Sequence, residues 1–237
     1  MTGWLGLSLR GIVSDNAGIR ELMGVTNAQA TVKKATSELD VVVVAAIAGT
    51  EGAALFKIAK QFGLMSAKVL EPLYQVVLPE AARLAGVGRY RDLRRFSTQM
   101  GMLGAAVAAV PLAAFLLAPW VTIDLTVGRE FRPAVVAIAC YLGASVLAHG
   151  TLGASRVLLV TDRPRYWLAV TVPPALVYLG ALAPTAQAAG VTGASVAYLV
   201  HNLFVLGGLL IAAHHVLRMA ERDTHLQPDL QPEQRPA

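Results

Sequence analysis

The chain has 237 residues and a formal net charge of +5 at neutral pH, yet only 15% of its residues are charged and 55% are hydrophobic. A soluble domain usually has about a quarter of its residues charged, so this composition argues against a soluble enzyme. The single cysteine, Cys140, excludes an intrachain disulfide and leaves no zinc-ligand spacing in the sequence.

Long runs without a charged side chain mark the hydrophobic segments of the chain. The runs 98–123 and 133–155 contain 26 and 23 residues, and the run 166–217 contains 52. A helix needs roughly 20 apolar residues to cross the hydrocarbon core of a membrane, whereas buried helices of soluble proteins have roughly 10–14. The longest run is therefore long enough for two spans and a turn, and the sequence predicts an all-α, polytopic membrane protein.

The sequence predicts six transmembrane helices, preceded by an N-terminal cytoplasmic segment over 1–17 without a cleavable signal peptide. Gly49 and Gly52 flank the first turn, and 183–187, with Pro184, divides the longest uncharged run. Residues 219–237 are polar and rich in proline, which is typical of a disordered cytoplasmic tail. The predicted helices of the 18–218 membrane lobe are 19–50, 52–83, 96–123, 133–155, 166–182 and 191–217.

The arginines of the loops are distributed asymmetrically along the chain. Arginine and lysine remain on the cytoplasmic side of a membrane protein, so six spans with both termini in the cytoplasm fit the pattern. This placement also explains the basic charge without nucleic acid as a partner. The 83–95 loop is interpreted as a topology signal, with a lipid-binding site as the alternative. Thirteen arginines lie in alternate loops and the two flanks (Arg10, Arg20, Arg83, Arg89, Arg91, Arg94, Arg95, Arg156, Arg163, Arg165, Arg218, Arg222, Arg235), against Arg129 and Arg132 in the other loops.

Polar residues follow a helical spacing in the first predicted helix. Asn27, Thr31, Lys34 and Glu38 are separated by four, three and four residues, which keeps them on one face of a helix. Ionisable groups at membrane depth cost several kcal/mol unless they face water or a partner, and so they indicate function. An adjoining polar strip is formed by Lys33, Ser37 and Asp40.

The second predicted helix carries a similar stripe, in which Leu64 fills the one apolar position. Two adjacent helices that each present charges are more consistent with a water-filled cavity lined by the two stripes than with contact to lipid. The alternative is that the charges pair with one another, for example Lys34 with Glu38, and hold the two helices together. The polar members of the second stripe are Lys57, Gln61, Lys68, Glu71 and Gln75.

Single prolines and histidines lie within the predicted helices. Pro72 and Pro79 predict a kink in the second helix, since proline removes a backbone hydrogen bond. Such a kink suits a transporter that rocks between states or merely shapes the packing. His149 and His201 each stand alone in an apolar helix, and both are interpreted as packed, hydrogen-bonded side chains and not as a proton relay.

The first two predicted helices resemble a known family. VTNAQATVKKATSELDVVVVAAIAG (25–49) and EGAALFKIAKQFGLMSAKVLEPLYQVVLPEAARL (51–84) look like the seventh and eighth helices of bacterial polysaccharide flippases. These exporters of lipid-linked oligosaccharides belong to the multidrug/oligosaccharidyl-lipid/polysaccharide superfamily. The acidic Asp40 before an apolar run and glycine, and Leu-Pro-Glu at 78–80 before a basic loop, match the family pattern. Phe56 departs from it, because the family often has tyrosine there.

The resemblance implies the C-terminal lobe of a two-lobed transporter, since the chain is half as long as the family requires. The implied function is the flipping of undecaprenyl-diphosphate-linked glycans across the bacterial inner membrane, in the biosynthesis of polysaccharides such as the O-antigen of lipopolysaccharide. Its implied partners are this glycan lipid, membrane lipid, and an N-terminal lobe or a second copy of the chain. No enzymatic activity, cofactor or metal is expected. The expected substrate-binding residues are Asn27, Thr31, Lys34, Lys68 and Gln75, and the expected ion-coupling or charge-balancing residues are Glu38, Asp40 and Glu71.

Two other functions stay open at the level of the sequence. A drug/cation antiporter of the same superfamily would bind its cargo with the carboxylates instead of the lysines. A membrane subunit without transport activity would act as a scaffold for a glycan-assembly complex.

Overall fold

A computed structural model describes residues 17–161 and 164–226 of the protein. All regular structure in these two ranges is helical, which confirms the expected all-α class. The predicted N-terminal segment lies outside the described residues except for Ala17. The helices are α1 (Ala17–Val69), α2 (Glu71–Gly86), α3 (Tyr90–Leu117), α4 (Pro119–Thr126), α5 (Val135–Gly150), α6 (Leu152–Val160) and α7 (Pro164–Leu226), with a 3-10 helix (Arg129–Ala134) before α5.

Helix α1 is a hairpin of two antiparallel arms. Its backbone leaves the helical conformation at Gly49, where φ is 71°, a value that glycine adopts without steric cost. Lys60, in the second arm, contacts the Asp40 carboxylate and the Ser37 carbonyl in the first. These contacts show that the chain turns back at Gly49, as the sequence predicted.

Helix α7 is a second hairpin, and here the predicted turn was wrong. The backbone breaks at Ala189 and Gly190, where φ of the glycine is 58°, and not at 183–187. Pro184 lies inside the first arm, where the Thr185 hydroxyl donates to the Ala181 carbonyl at 2.7 Å. This hydroxyl supplies a hydrogen bond close to the proline, which removes one from the helix.

Prolines decide two further boundaries. Helix α1 ends at Val69 and α2 begins at Glu71, with Pro72 in its first turn, so the predicted kink is confirmed at this proline. Helix α3 runs from Tyr90 to Leu117 and not over 96–123, because Pro119 disfavours a helical conformation at the preceding residue. That residue, Ala118, has φ −143° and ends the helix.

The remaining predicted helices differ from the structure mainly in their ends. The fourth predicted helix, 133–155, is divided into α5 and α6 at Thr151 and continues to Val160. The last arm of α7 starts after Gly190, as expected for a helix from residue 191, and continues to Leu226. Residues 219–226 of the predicted tail are therefore helical, and 227–237 lie outside the described residues.

Within the described residues, four helical segments are long and apolar enough to cross a membrane, and this composition is compatible with a membrane protein. Large apolar side chains on their surfaces are exposed, which monomeric soluble proteins avoid over extended areas. The segments are Ala30–Val69, Tyr90–Leu117, Arg129–Val160 and Tyr166–Arg222. The exposed apolar residues include Val42, Met102, Val110, Leu117, Val177 and Ile211.

The helices pack around α5, which contacts α1, α3 and α7. One core cluster includes Val44, Phe56 and Ala194, close to the two hairpin turns. A second cluster includes Leu84 and Leu93, on either side of the α2–α3 connection. The hairpin turns thus lie at one end of the bundle, and the arginine-rich α2–α3 connection lies at the other, which we call the basic end.

The two arginines that depart from the loop asymmetry share one carboxylate. Arg132 donates from Nε to Asp124 at 2.8 Å, and Arg129 Nε lies 3.4 Å from the same carboxylate. The hydrogen bond from Arg132 holds the pKa of Asp124 below its usual value. The Arg132 guanidinium also lies 5.8 Å from the ring centre of Trp120, a residue type that is enriched at membrane interfaces.

Candidate functional site

A buried ion pair joins the two arms of α1. Lys60 Nζ lies 2.8 Å from Asp40 Oδ1 and 3.2 Å from Oδ2, and it also donates to the carbonyl of Ser37. The side chains of Asp40 and Lys60 are only 2% and 15% exposed. Placing a pair of charges in such an environment is costly unless hydrogen bonds complete their coordination, and the Ser37 carbonyl provides one of these bonds.

Aromatic side chains from α5 and α7 surround the carboxylate. The Tyr178 hydroxyl lies 3.4 Å from Asp40 Oδ2, at the limit of a hydrogen bond. The Tyr178 ring packs against Tyr198 with ring centres 5.7 Å apart, and Tyr198 stacks on Tyr141 at 4.6 Å. The pair therefore lies in the core where the α1 hairpin meets α5 and the α7 hairpin.

This arrangement favours a structural task for Asp40. The carboxylate is already bound to an ammonium group and a phenol, so little of it remains for a ligand. Within the described residues, no group of three or more His, Cys, Asp and Glu side chains is placed to hold a metal ion. Chemically, the pair fixes the register of the two arms.

The other seven predicted site residues are exposed on the outside of the chain, and Asp40 alone is buried. The structure thus separates Asp40 from the set with which the sequence grouped it. The function assigned to the seven stays a prediction. They are Asn27, Thr31, Lys34 and Glu38 in the first arm of α1, Lys68 in the second arm, and Glu71 and Gln75 in α2.

The residues of the two stripes are exposed in the structure. The predicted pair of Lys34 and Glu38 is absent from the ion pairs of the described residues. The charges on the stripes are thus presented to the surroundings of the chain. We call this surface of α1 the open polar face, and it consists of Asn27, Thr31, Lys34, Glu38, Lys57, Gln61 and Lys68, all exposed.

Sequence reasoning missed Lys60. The stripe of the second helix was built on Lys57 and Gln61, and Lys60 lies one turn from Lys57, at the inward edge of that stripe, where it is partly buried. One signal was available: across an antiparallel hairpin that turns at Gly49, the partner of Asp40 lies near residue 58, within one helical turn of Lys60. An acidic residue predicts such a pair when a lysine lies close to the position directly across the hairpin from it.

His149 confirms its prediction as a packed, hydrogen-bonded residue. It is 4% exposed, and its Nδ1 lies 2.6 Å from the Ser145 carbonyl and 3.2 Å from the Ser145 hydroxyl. His201 packs its ring against Tyr178 at 5.4 Å.

In comparisons with known proteins, no family model, curated protein or solved structure matches this chain.

Proposed function

We propose that this chain is one lobe of a membrane transporter that flips lipid-linked oligosaccharides, and that its helices make six crossings with both termini in the cytoplasm. The observation that carries the proposal is the open polar face. Charged residues lie along two arms of membrane length, and this chain leaves them exposed. Each charge in contact with lipid would cost several kcal/mol, so the face must meet water or another protein surface.

The two hairpins support six crossings. The segment Tyr166–Arg222 has 57 residues, and an unbroken helix of that length would extend about 85 Å, far beyond a hydrocarbon core of about 30 Å. With turns at Gly49 and Gly190, the α1 and α7 hairpins supply two crossings each. Helix α3 and the α5–α6 unit complete the six crossings.

The proposed cargo follows from the cations of the open polar face. Lys34 and Lys68 are exposed, and neither belongs to an ion pair of the described residues. An ammonium group forms strong, charge-assisted hydrogen bonds to phosphate oxygens. The resemblance to polysaccharide flippases supports an undecaprenyl-diphosphate-linked glycan as the source of that phosphate.

A second candidate function is cation antiport. Glu38 and Glu71 are also exposed, and free carboxylates would bind a cationic drug or a coupling ion. Asp40 contributes to neither function directly in our proposal, because Lys60 occupies its carboxylate.

Reconstitution into proteoliposomes tests both functions. The chain would be studied alone and together with a separately expressed N-terminal lobe of a polysaccharide flippase. We expect the pair, and not the chain alone, to move a fluorescent lipid-linked sugar between leaflets. Lys34→Gln and Lys68→Gln should slow this movement, whereas Arg91→Gln, at the exposed α2–α3 end, should not.

The outcomes separate the candidates. Uptake of a cationic dye that depends on Glu38 and Glu71, without movement of the lipid-linked sugar, would favour the antiporter. Flipping by a monodisperse monomer of this chain would show that the open polar face needs no second lobe and would contradict the proposal.

A further inference from the structure

A second cation lies inside the bundle without a carboxylate. Arg156, on α6, is partly buried, and its Nε is buried with no hydrogen-bond partner in the structure. None of the ion pairs formed by the described residues includes it. A desolvated guanidinium with unused donors is unfavourable, and it is stabilised when an anion supplies the missing acceptors.

An aromatic ring fixes the guanidinium from one side. Its Cζ lies 5.4 Å from the ring centre of Tyr74, on α2, in a cation–π contact. The Tyr74 ring packs edge-on against His149 at 6.1 Å, and Ser145 holds His149 by hydrogen bonds. The Arg156 Nε–H has no acceptor within the described residues, and the N–H groups at the edge of a guanidinium plane bind carboxylate or phosphate in a fork.

The depth of Arg156 indicates which anion is within reach. Helix α6 ends at Val160, so Arg156 lies about 6 Å from this helix end. Val157 and Leu158, its neighbours in sequence, belong to the core cluster of the basic end. The headgroup layer on each side of a membrane is about 5–8 Å thick, which places the guanidinium near the depth of lipid phosphates.

We propose that Arg156, stacked on Tyr74, binds the phosphate group of an anionic membrane lipid at the basic end of the bundle. Inorganic phosphate offers the same oxygens, so it is the water-soluble alternative source of this ligand. The inference does not rest on transport, because it uses neither the open polar face nor the proposed second lobe.

The test uses the full chain, purified in detergent and depleted of lipid. Phosphatidylglycerol, diacylglycerol with the same acyl chains, and inorganic phosphate are added separately, and bound lipid and the midpoint of thermal unfolding are measured. We expect phosphatidylglycerol to bind and to raise the midpoint, whereas diacylglycerol, which lacks the phosphate, should do neither. In Arg156→Gln the affinity for phosphatidylglycerol should fall by about tenfold or more.

Two further variants keep the result interpretable. Arg91→Gln removes an exposed arginine from the same end of the bundle and should bind the lipid like the wild type. Arg156→Lys keeps the positive charge but lacks the forked pair of donors, and we expect it to bind phosphatidylglycerol with an intermediate affinity. If Arg156→Gln fails to fold, the comparison of Arg156→Lys with the wild type tests the proposal. If inorganic phosphate alone stabilises the protein, and this effect requires Arg156, then Arg156 binds phosphate as proposed but the ligand is free phosphate and not a lipid. Equal lipid affinity in the wild type and the Arg156 variants would overturn the proposal.

Discussion

Asp40 and Lys60 lie 20 residues apart in the sequence, and in the fold Lys60 Nζ lies 2.8 Å from Asp40 Oδ1. Both side chains face the core of the bundle. The pair joins the two arms of a hairpin whose opposite, outward surfaces carry exposed charges. One side of α1 is thus internally neutralised, and the other side is left for water or a partner. This division separates the residues that hold the lobe together from those proposed to act on cargo.

Removing one member of the pair should destabilise the protein more than removing both. Asp40→Asn leaves a buried ammonium and Lys60→Met a buried carboxylate, and each loss from a buried pair costs about 3–5 kcal/mol. In the double variant no buried charge remains, so its free energy of unfolding should lie well above the value expected from additive losses. Denaturant titration of the purified wild type, the two single variants and the double variant measures these free energies of unfolding. Lys57→Met, one turn away on the exposed face, is the control and should be close to neutral; additive losses would mean that the two charges do not interact.

Close packing between α3 and α6 depends on Gly153. A Cβ at this position would overlap the backbone carbonyl of Ser97, which cannot move without shifting a helix. We expect Gly153→Ala to destabilise the protein by about 1–3 kcal/mol. Gly180→Ala is the matched control, because its Cβ would meet no atom within 4 Å, and it should be neutral or stabilising, since alanine favours a helix. Equal thermal stabilities of the two variants would contradict the close approach.

The sequence predicted features that depend on local chemistry. Gly49 was identifiable as a turn because it separates two runs of helical periodicity, and spacing alone predicted that the polar residues of each stripe share one face of a helix. The turn in α7 was misplaced because Pro184 is the stronger breaker on sequence grounds, whereas the helix continues through this proline and Gly190 takes the positive φ. Local sequence rules rank the positions where a helix can break, but they do not predict which of these positions the fold uses.

Contacts between distant elements were beyond the sequence. The approach of Tyr178 to Asp40 spans 138 residues, and the stacking of Arg156 on Tyr74 joins α6 to α2. Arg156 appeared in the sequence as one loop arginine among several. Only the extension of the fourth predicted helix to Val160 places it inside the bundle. Helix ends decide whether such a residue is a topology signal or a buried cation.

The Asp124 cluster should be sensitive to acid. Its carboxyl has a pKa below the ordinary 3.8 because Arg132 donates to it. A lowered pKa means that the stabilisation is present above the ordinary value and is lost as the pH falls through the lowered one. NMR titration should show the Asp124 carboxyl ionised below pH 3.8, and Arg132→Gln should move its pKa upwards. An unchanged pKa in Arg132→Gln would show that the contact does not persist in solution.

The orientation of the lobe is open to a labelling test. In a Cys140→Ala background, single cysteines would replace Val87, near the arginines of the α2–α3 connection, and Gln187, near the turn at Gly190. Both positions are exposed, and Val87 is preferred to Gly88 because the glycine has φ 70°. A membrane-impermeant maleimide added to whole cells should label position 187 and not 87, since arginine-rich loops stay in the cytoplasm. Labelling of position 87 but not of position 187 would show that the protein has the opposite orientation.

We expect water to reach the open polar face, which our proposal places at membrane depth. Exposure in this structure does not distinguish water from lipid, because Val110 on α3 is also exposed, at 66%. We expect cysteines at Lys34 and Lys68 to react with a charged thiosulfonate reagent in native membranes, and a cysteine at Val110 to react far more slowly. A thiol reacts as its thiolate, and neither the thiolate nor the charged reagent is stable in hydrocarbon. If positions 34 and 110 react equally slowly in intact membranes, the face is covered by protein or lipid and lines no aqueous cavity. Repeating the labelling with the second lobe present then separates these coverings: a protein partner should protect positions 34 and 68 only when that lobe is present, while lipid would protect them in both cases.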